Sequence, residues 1–205
     1  MNRNFRVLFD KVRRFDEERG CYVYDISFKT RTSLEGRTID VAEVFGLGLD
    51  DEHEYTIYED FELKLSEGDI VYLTGDSGSG KSMLLRMIQE DLGDATINID
   101  DMEVERNKPI IDTVGDTFQE GLILLSRVGL NDAFLFMRSY EELSEGQRDR
   151  YKIAKMIDSG KPFWICDEFC STLDRITAKV VSYNIQKMAR GTGSTLIVAT
   201  SHGDL

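Results

Sequence analysis

The spacing of apolar and polar residues changes several times along this 205-residue chain, and each change predicts an element. Alternation over residues 21–30 and 61–65 predicts strands with one buried face. Continuous apolar runs at residues 70–73, 163–166 and 195–199 predict strands buried on both faces, and residues 95–99 predict another short strand.

Helical spacing separates these apolar strands. It covers residues 83–88, 119–128, 145–157 and 177–189, with Gly129 as a stop signal after the second segment. Strands that alternate with helices predict a parallel sheet with helices on both faces, and the early alternating strands predict an added antiparallel flap. The length and an apolar content of 41% are enough for one α/β domain with a small lobe.

A glycine-rich segment connects the strand at residues 70–73 to the helix that follows it. It reads Gly75, Asp76, Ser77, Gly78, Ser79, Gly80, Lys81 and Ser82, which is a glycine, four residues, then Gly-Lys-Ser. The glycines let successive backbone N–H groups converge on a phosphate, and the helix N-terminus adds its partial positive charge. Lys81 is placed to reach the β- and γ-phosphates, and the Ser82 hydroxyl to hold Mg²⁺. The segment predicts binding of a nucleoside triphosphate.

Two acids end the apolar run at residues 163–166. A buried parallel strand that ends in Asp167 places this carboxylate at the carboxyl edge of the sheet, beside the phosphate-binding loop. There Asp167 can orient Mg²⁺, and Glu168 can take a proton from an attacking water.

Charge and cysteine content narrow the class of protein. A formal net charge of −13 argues against a surface that adheres to nucleic acid, although residues 1–15 carry five basic residues and one acid. No apolar stretch is long enough to span a bilayer, and residues 1–4 open no signal peptide, so we expect a cytoplasmic protein without direct membrane insertion. The three cysteines lack metal-ligand spacing, which fits a reducing compartment.

The helix predicted at residues 145–157 begins within the segment Leu143, Ser144, Glu145, Gly146 and Gln147. Here the chain resembles the ATP-binding-cassette (ABC) ATPases, whose signature motif LSGGQ differs only at Glu145. Residues 171–174 resemble the D-loop of the family, and His202 falls where the family keeps its switch histidine. The resemblance covers residues 60–205. It implies a P-loop NTPase fold of the α/β class, with a mainly parallel sheet, an N-terminal antiparallel β subdomain and a shortened helical subdomain.

The resemblance also implies a mechanism, with ATP and Mg²⁺ as cofactors. Two chains form an ATP-dependent homodimer, in which Ser144, Gly146 and Gln147 of one chain close over Lys81 and Ser82 of the other. Ser82 and Asp167 hold Mg²⁺, Glu168 polarises the water, His202 steadies the γ-phosphate and Asp174 links the two sites. We expect an N-terminal extension with a basic start at residues 1–40 and the ATPase domain at residues 41–205.

Three features depart from the family. Only 61 residues separate Lys81 from Leu143. The helical subdomain between them, which binds the membrane partner in transporters, is therefore shorter than in the family. The Q-loop glutamine is missing from residues 107–114, and Gln119 is the only candidate. The chain ends three residues after His202, so its end is trimmed or the form is compact. The family stacks adenine on an aromatic side chain ahead of the phosphate-binding loop. The resemblance implies this role for Tyr55, which has the nearest spacing, with Phe45 and Tyr58 as alternatives.

The segment at residues 166–175 looks particularly like stand-alone ABC ATPases of the group found fused to predicted acetyltransferase domains. The leading hypothesis is therefore a soluble ATPase that closes as a clamp on an unidentified protein partner. An ATP-binding subunit of a membrane transporter is the alternative, with the membrane spans on another chain. A DNA-repair or chromosome-maintenance ATPase lacks support because no heptad run appears, and a small-molecule kinase has no use for the signature segment.

Overall fold

The structure is a computed structural model that describes residues 6–19, 21–31, 36–46 and 52–200. The chain divides into two compact units, Met1–Lys64 and Leu65–Leu205. The predicted boundary after residue 40 stays a prediction. His202 lies outside the described residues.

The first unit contains an antiparallel sheet and one helix. Its elements in chain order are strands β1 (Arg6–Asp16) and β2 (Cys21–Arg31), helix α1 (Arg37–Phe45) and strand β3 (Glu52–Glu62). The sheet order is β1-β2-β3, so β2 is the central strand and pairs along its length with both neighbours. Val23 and Ile26 of β2 are fully buried.

Two sequence predictions bear on this sheet. The strand predicted at residues 21–30 is β2. The strand predicted at residues 61–65 is the end of a longer one, because pairing with β2 carries β3 back to Glu52 and leaves residues 63–65 outside it. The register between β2 and β3 shifts near Ile26 and Tyr58. Shortly after this irregularity, Asp60 has a φ of 52° and accepts a hydrogen bond of 2.6 Å from Arg19 Nη2.

The second unit alternates strands and helices. It begins with strand β4 (Ile70–Thr74), helix α2 (Lys81–Leu92), strand β5 (Thr96–Asn98), helix α3 (Phe118–Arg127) and helix α4 (Ala133–Phe136). It continues with helix α5 (Glu145–Asp158), strand β6 (Phe163–Cys166), helix α6 (Arg175–Thr192) and strand β7 (Thr195–Thr200). Short 3₁₀ turns occupy Gly93–Ala95, Ile110–Thr113 and Tyr140–Glu142.

The four strands of the second unit are all parallel, in the order β4-β7-β6-β5. Strand β7, the last in the chain, therefore lies between β4 and β6. All four carboxyl ends meet at one edge of the sheet, which is where parallel α/β sheets place their ligands.

Helices cover both faces of this sheet. Trp164, Cys166, Leu196 and Val198 belong to the large apolar cluster that includes residues of α5 and α6. The residues between them, Ile165 and Ile197, are fully buried on the opposite face because side chains alternate along a strand. Helix α2 packs against β5, β6 and β7 and buries its own Leu84, Leu85, Met87 and Ile88. These interactions confirm the predicted α/β class and the sheet with two covered faces.

Side-chain caps fix where helices α3 and α6 begin. Thr117 and Glu120 form a reciprocal capping box at the start of α3, with N–H to oxygen distances of 3.2 and 3.0 Å. Helix α6 begins two residues before the predicted start at residue 177, because Asp174 caps it. In the described part of the chain, no helix combines the length and the apolar character needed to cross a membrane.

Candidate functional site

The loop between β4 and α2 has the backbone that its glycines predict. Gly78 and Gly80 have φ values of 83° and 87°, a left-handed conformation that favours glycine. Gly75 has a φ of 156°, and a Cβ atom there would lie 2.9 Å from Ser79 Oγ. Gly80 directly precedes Lys81, the first residue of α2. The N–H groups of the loop therefore lie next to those of a helix N-terminus.

The side chain of Lys81 hydrogen-bonds back to the loop that precedes it. Its Nζ donates hydrogen bonds to the carbonyl oxygens of Gly75 at 2.6 Å and Asp76 at 2.8 Å, and lies 3.4 Å from Ser79 Oγ. The ammonium group therefore lies inside the curve that the resemblance assigns to the phosphates. Ser82, the next residue, is exposed at the start of α2.

The register of the sheet brings Asp167 to the same edge as this loop. Thr74, the last residue of β4, pairs with Thr200, and Cys166, the last residue of β6, pairs with Val198. The next residue after Cys166 is Asp167, so it emerges at the carboxyl edge within one residue of the level at which Thr74 leads into the loop. The turn after Asp167 is tied to β7, since Phe169 N–H donates to the Ala199 carbonyl at 2.8 Å.

The acidic pair occupies a tight turn. Asp167 is half-buried, whereas Glu168 is exposed and has a φ of 45°. The Glu168 N–H donates to Asp167 Oδ1 at 2.9 Å. A non-glycine residue in the left-handed region is uncommon, and such residues cluster at functional sites. Both acids of this turn line one cavity.

A cavity of about 160 Å³ adjoins the acidic pair. Its lining includes three charged residues that were not predicted from the sequence as site residues. Asp100 follows β5, and Asp149 and Lys152 belong to α5. Burial raises the pKa of the Asp100 carboxyl, and the nearby ammonium group of Lys152 opposes this shift. One sequence signal was available: Asp100 ends its apolar strand in the same way as Asp167 ends β6.

Two free cysteines flank the acidic pair. Burial raises the pKa of the Cys166 thiol well above its ordinary value and that of the Cys170 thiol to about 12. The thiolate, which is the nucleophilic form, is therefore suppressed at neutral pH. Cys166 packs in the core, with Sγ 3.6 Å from the sulfur of Met156. Both cysteines are packing residues.

The signature segment forms the first turn of α5. Ser144 is the N-cap, its N–H donates to Gln147 Oε1 at 2.9 Å, and both Ser144 and Glu145 are exposed. Gly146 lies against the segment after the acidic pair, since a Cβ atom there would lie 3.1 Å from Leu173 Cδ2. An exposed helix N-terminus with a serine cap can bind an anion brought by another molecule.

Asp174 acts as the cap of α6. Its carboxylate accepts hydrogen bonds from the N–H groups of Ile176 and Thr177, both at 3.1 Å, and from the Thr177 hydroxyl at 2.5 Å. The hydrogen bond from the Thr177 hydroxyl is the main cause of the lowered Asp174 pKa. The contact across a dimer that the resemblance assigns to Asp174 stays a prediction.

The adenine-stacking candidates belong to the first unit. Tyr55 is 52% exposed, and one face of its ring stacks on Phe28 with centroids 5.0 Å apart. Phe45 ends α1 and is exposed, whereas Tyr58 is half-buried against Phe61. All three assignments stay predictions.

Gln119 lies exposed in the first turn of α3, and its Q-loop role also stays a prediction. Strand β6 lies between β7 and β5, and the polar residue that follows β5 at the edge where Asp167 emerges is Asp100, not a glutamine.

The chemistry of the donor set fits Mg²⁺ bound together with a triphosphate. The Ser82 hydroxyl and the Asp167 carboxylate offer the hard oxygen ligands that Mg²⁺ prefers. Among the described residues, no group of three or more His, Cys, Asp or Glu side chains could hold a metal alone. This fits a cation that uses phosphate oxygens and waters for its remaining ligands.

The chain is similar in sequence to known proteins. The family described as ABC transporter matches residues 58–128, which contain the phosphate-binding loop. The thiamine import ATP-binding protein ThiQ of Vibrio parahaemolyticus is 30% identical, over 74% of this chain and 79% of ThiQ. The methionine import ATP-binding protein MetN of Clostridium tetani is 28% identical, over 78% of this chain and only 59% of MetN.

Solved structures show the same fold. The dimeric post-hydrolysis structure of the ATP-binding cassette MJ0796 with ADP and phosphate has a TM-score of 0.60 at 20% identity, covering 73% of this chain and 82% of that one. A putative ABC transporter ATP-binding protein of Pyrococcus furiosus has a TM-score of 0.62 at 17% identity, covering 73% and 87%. The chain belongs to the ABC family of ATP-binding cassettes, ATPases that hydrolyse ATP to ADP and phosphate.

Proposed function

We propose that this chain is the ATP-binding subunit of a membrane transporter, in which two cassettes close head-to-tail around Mg²⁺ and ATP. The observation that carries the ATPase assignment is the register of the parallel sheet. It brings the phosphate-binding loop and Asp167 to one edge, with Lys81 directed into the loop.

Each residue at this edge has a role that follows from its position. The loop N–H groups and Lys81 hold the β- and γ-phosphates, and Ser82 and Asp167 hold Mg²⁺, which neutralises phosphate charge when it is bound. Glu168 is exposed beside Asp167, where its carboxylate can orient a water molecule and accept its proton. His202 would steady the γ-phosphate from the segment that follows β7.

The exposed signature segment supports the proposed dimer. Ser144 caps α5 and Gly146 lies in its first turn, so a γ-phosphate from a second copy would meet a serine hydroxyl and the positive end of a helix. Gly146 also lies near the D-loop residue Leu173, since a Cβ atom added to the glycine would be 3.1 Å from Leu173 Cδ2, so the signature segment is close to the turn after Glu168. Closure over ATP would therefore be sensed beside the residue proposed to position water.

Glu168→Gln tests the dimer. The glutamine keeps the size of the side chain but cannot accept the proton, so we expect ATP and Mg²⁺ to convert the variant into a stable dimer on light scattering. Glu103→Gln, which neutralises an exposed carboxylate outside the site, should behave like the wild type. A Glu168→Gln variant that remains monomeric with saturating ATP and Mg²⁺ would refute the head-to-tail arrangement.

The choice of a transporter subunit rests on the relatives, ThiQ and MetN, whose names describe them as import ATP-binding proteins. This supports the transporter alternative better than a stand-alone soluble ATPase, the leading expectation from the sequence. Exposed apolar side chains between the loop and the signature also fit a docked partner: Phe118 is 68% exposed, Phe134 72% and Met137 63%.

Site-specific photocrosslinking in the native membrane separates these two functions. A crosslinking amino acid in place of Phe134 should capture a protein with several membrane spans, and the same amino acid in place of Ser66 should not. A membrane-free fraction that retains all of the protein, with no polytopic product from position 134, would favour the stand-alone ATPase related to the acetyltransferase-fused group. The Glu168→Gln experiment stays valid in either case.

A further inference from the structure

Asp100 occupies a position that the proposed chemistry does not yet use. Asn98, the last residue of β5, pairs with Ile165 of β6, and the Ile99 N–H donates to the Ile165 carbonyl at 3.0 Å. The parallel pairing ends there, because the chain turns at Ile99 and Asp100, where the Asp101 N–H donates to the Asn98 carbonyl. Asp100 and Asp167 nevertheless each follow one of two neighbouring parallel strands at the carboxyl edge of the sheet, and both line the same cavity.

The carboxylates of Asp100 and its sequence neighbour Asp101 have different surroundings. Asp101 is engaged, because Gln89 Nε2 donates to its Oδ2 at 2.9 Å. The Asp100 carboxylate accepts no hydrogen bond in the described part of the chain, and Asp100 lines the same cavity as Asp167 and Glu168. The backbone fixes this difference, since the Asp100 N–H donates to Asn98 Oδ1 at 3.0 Å and the Asp101 N–H to the Asn98 carbonyl at 3.2 Å.

Lys152 places a positive charge near these acids. It belongs to α5 and lines the same cavity as Asp100 and Asp167. Its positive charge attracts the Asp100 carboxylate and offsets part of the repulsion between this carboxylate and Asp167. No ion pair within 4 Å joins Lys152 to a carboxylate among the described residues, so Asp100 remains available to a ligand.

We propose that Asp100 is a metal-positioning residue of the nucleotide site, which acts with Asp167 on the Mg²⁺ that accompanies ATP. This proposal rests on the proposed ATPase function and adds a residue to it. Mg²⁺ in nucleotide sites keeps several waters, and a carboxylate next to a ligand can hold such a water or the ion itself. The residue acts from the turn that follows β5, the strand on the side of β6 away from β7.

A metal titration tests Asp100 without relying on turnover. Mn²⁺ replaces Mg²⁺ and is followed by electron paramagnetic resonance while it binds to protein saturated with a non-hydrolysable ATP analogue. We expect Asp100→Asn to weaken Mn²⁺ binding about tenfold, the usual size for loss of an outer-shell ligand partner. Asp101→Asn is the matched control and should bind Mn²⁺ like the wild type, since asparagine can still accept the hydrogen bond from Gln89. Equal Mn²⁺ affinities in the Asp100→Asn, Asp101→Asn and wild-type proteins would overturn the proposal.

Asp167→Asn separates the two levels of the proposal. If Asp167→Asn weakens Mn²⁺ binding and Asp100→Asn does not, the role of Asp100 is wrong and the proposed ATPase site stands. If neither variant alters Mn²⁺ binding, the metal arrangement of the proposed function fails as well. Thermal melting of each variant checks its folding, and Asp100→Ser, judged by the same Mn²⁺ affinity, replaces the asparagine variant if that one does not fold.

Discussion

The ammonium group of Lys81 lies 2.6 Å from the carbonyl oxygen of Gly75, six residues earlier in the chain. This hydrogen bond, with a second to Asp76 at 2.8 Å, holds the phosphate-binding loop curved around the lysine. A triphosphate must compete for the same ammonium group. Because the loop already has its curved shape, binding exchanges hydrogen-bond partners without reorganising the backbone.

Lys81→Ala should weaken ATP binding by about tenfold or more, since hydrogen bonds to charged groups contribute about 1.5–3 kcal/mol. A fluorescent ATP analogue, titrated by anisotropy, gives the affinity. Lys179→Ala is the control, because it removes an exposed lysine of α6. If both variants bind the analogue with the same affinity, Lys81 is not the phosphate ligand.

The sequence predicted this part of the molecule well because its signals are local. The apolar strand, the glycines and the helix that begins at Lys81 are consecutive, and each constrains the next. By contrast, β1 was not predicted, because the sequence from Asp10 to Arg14 is almost entirely polar and lacks the alternation of a half-buried strand. Its strand structure follows from pairing with β2, a tertiary effect.

Asp100 was missed for a related reason. Its position beside Asp167 depends on the register between β5 and β6, whose residues are more than 60 positions apart in the chain. A pattern read along one segment contains no register between two strands. Helix α1 was also missed, since Gly36 is its N-cap and no side chain caps it.

Alanine substitutions at two helical glycines should change the free energy of unfolding in opposite directions. A Cβ atom on Gly121 of α3 would lie 2.6 Å from the Val114 carbonyl oxygen, whereas one on Gly191 of α6 would have nothing within 4 Å. Gly121→Ala should lower the free energy of unfolding by about 1–3 kcal/mol through overpacking. Gly191→Ala should raise it by up to about 1 kcal/mol through helix propensity. Urea unfolding measures both, and a Gly121→Ala protein as stable as the wild type would contradict this close packing.

The buried hydroxyl pair of Thr113 and Tyr151 gives a third prediction. Thr113 Oγ1 donates to the Ile110 carbonyl at 2.8 Å, so the Tyr151 hydroxyl, 2.6 Å away, must donate to Thr113. Tyr151→Phe removes this donor and should lower the free energy of unfolding by about 1 kcal/mol. Tyr183→Phe, at an exposed position of α6, is the matched control and should have no effect on urea unfolding. Equal losses in both variants would argue against the buried hydrogen bond.

Alkaline pH should destabilise the protein through the buried thiol of Cys170. Burial raises its pKa from 9.0 to about 12, and an interaction with the Ser182 side chain opposes this shift. The folded state therefore holds this proton more tightly than the unfolded state does. The resulting stabilisation is fully present below pH 9.0, the ordinary value, and is lost as the pH rises toward about 12.

Replacing Cys170 by serine isolates this contribution. A serine hydroxyl does not titrate in this range, so Cys170→Ser should lose less stability than the wild type between pH 9 and 11, by up to about 1.4 kcal/mol per pH unit. Urea unfolding at half-unit pH steps gives the two slopes, and Cys166 keeps its own contribution in both proteins. Exposed Ser126→Ala shows the slope expected from a substitution outside the core. Parallel slopes for Cys170→Ser and the wild type would mean that the Cys170 thiol titrates alike in the folded and unfolded states, contrary to its burial beside the acidic pair.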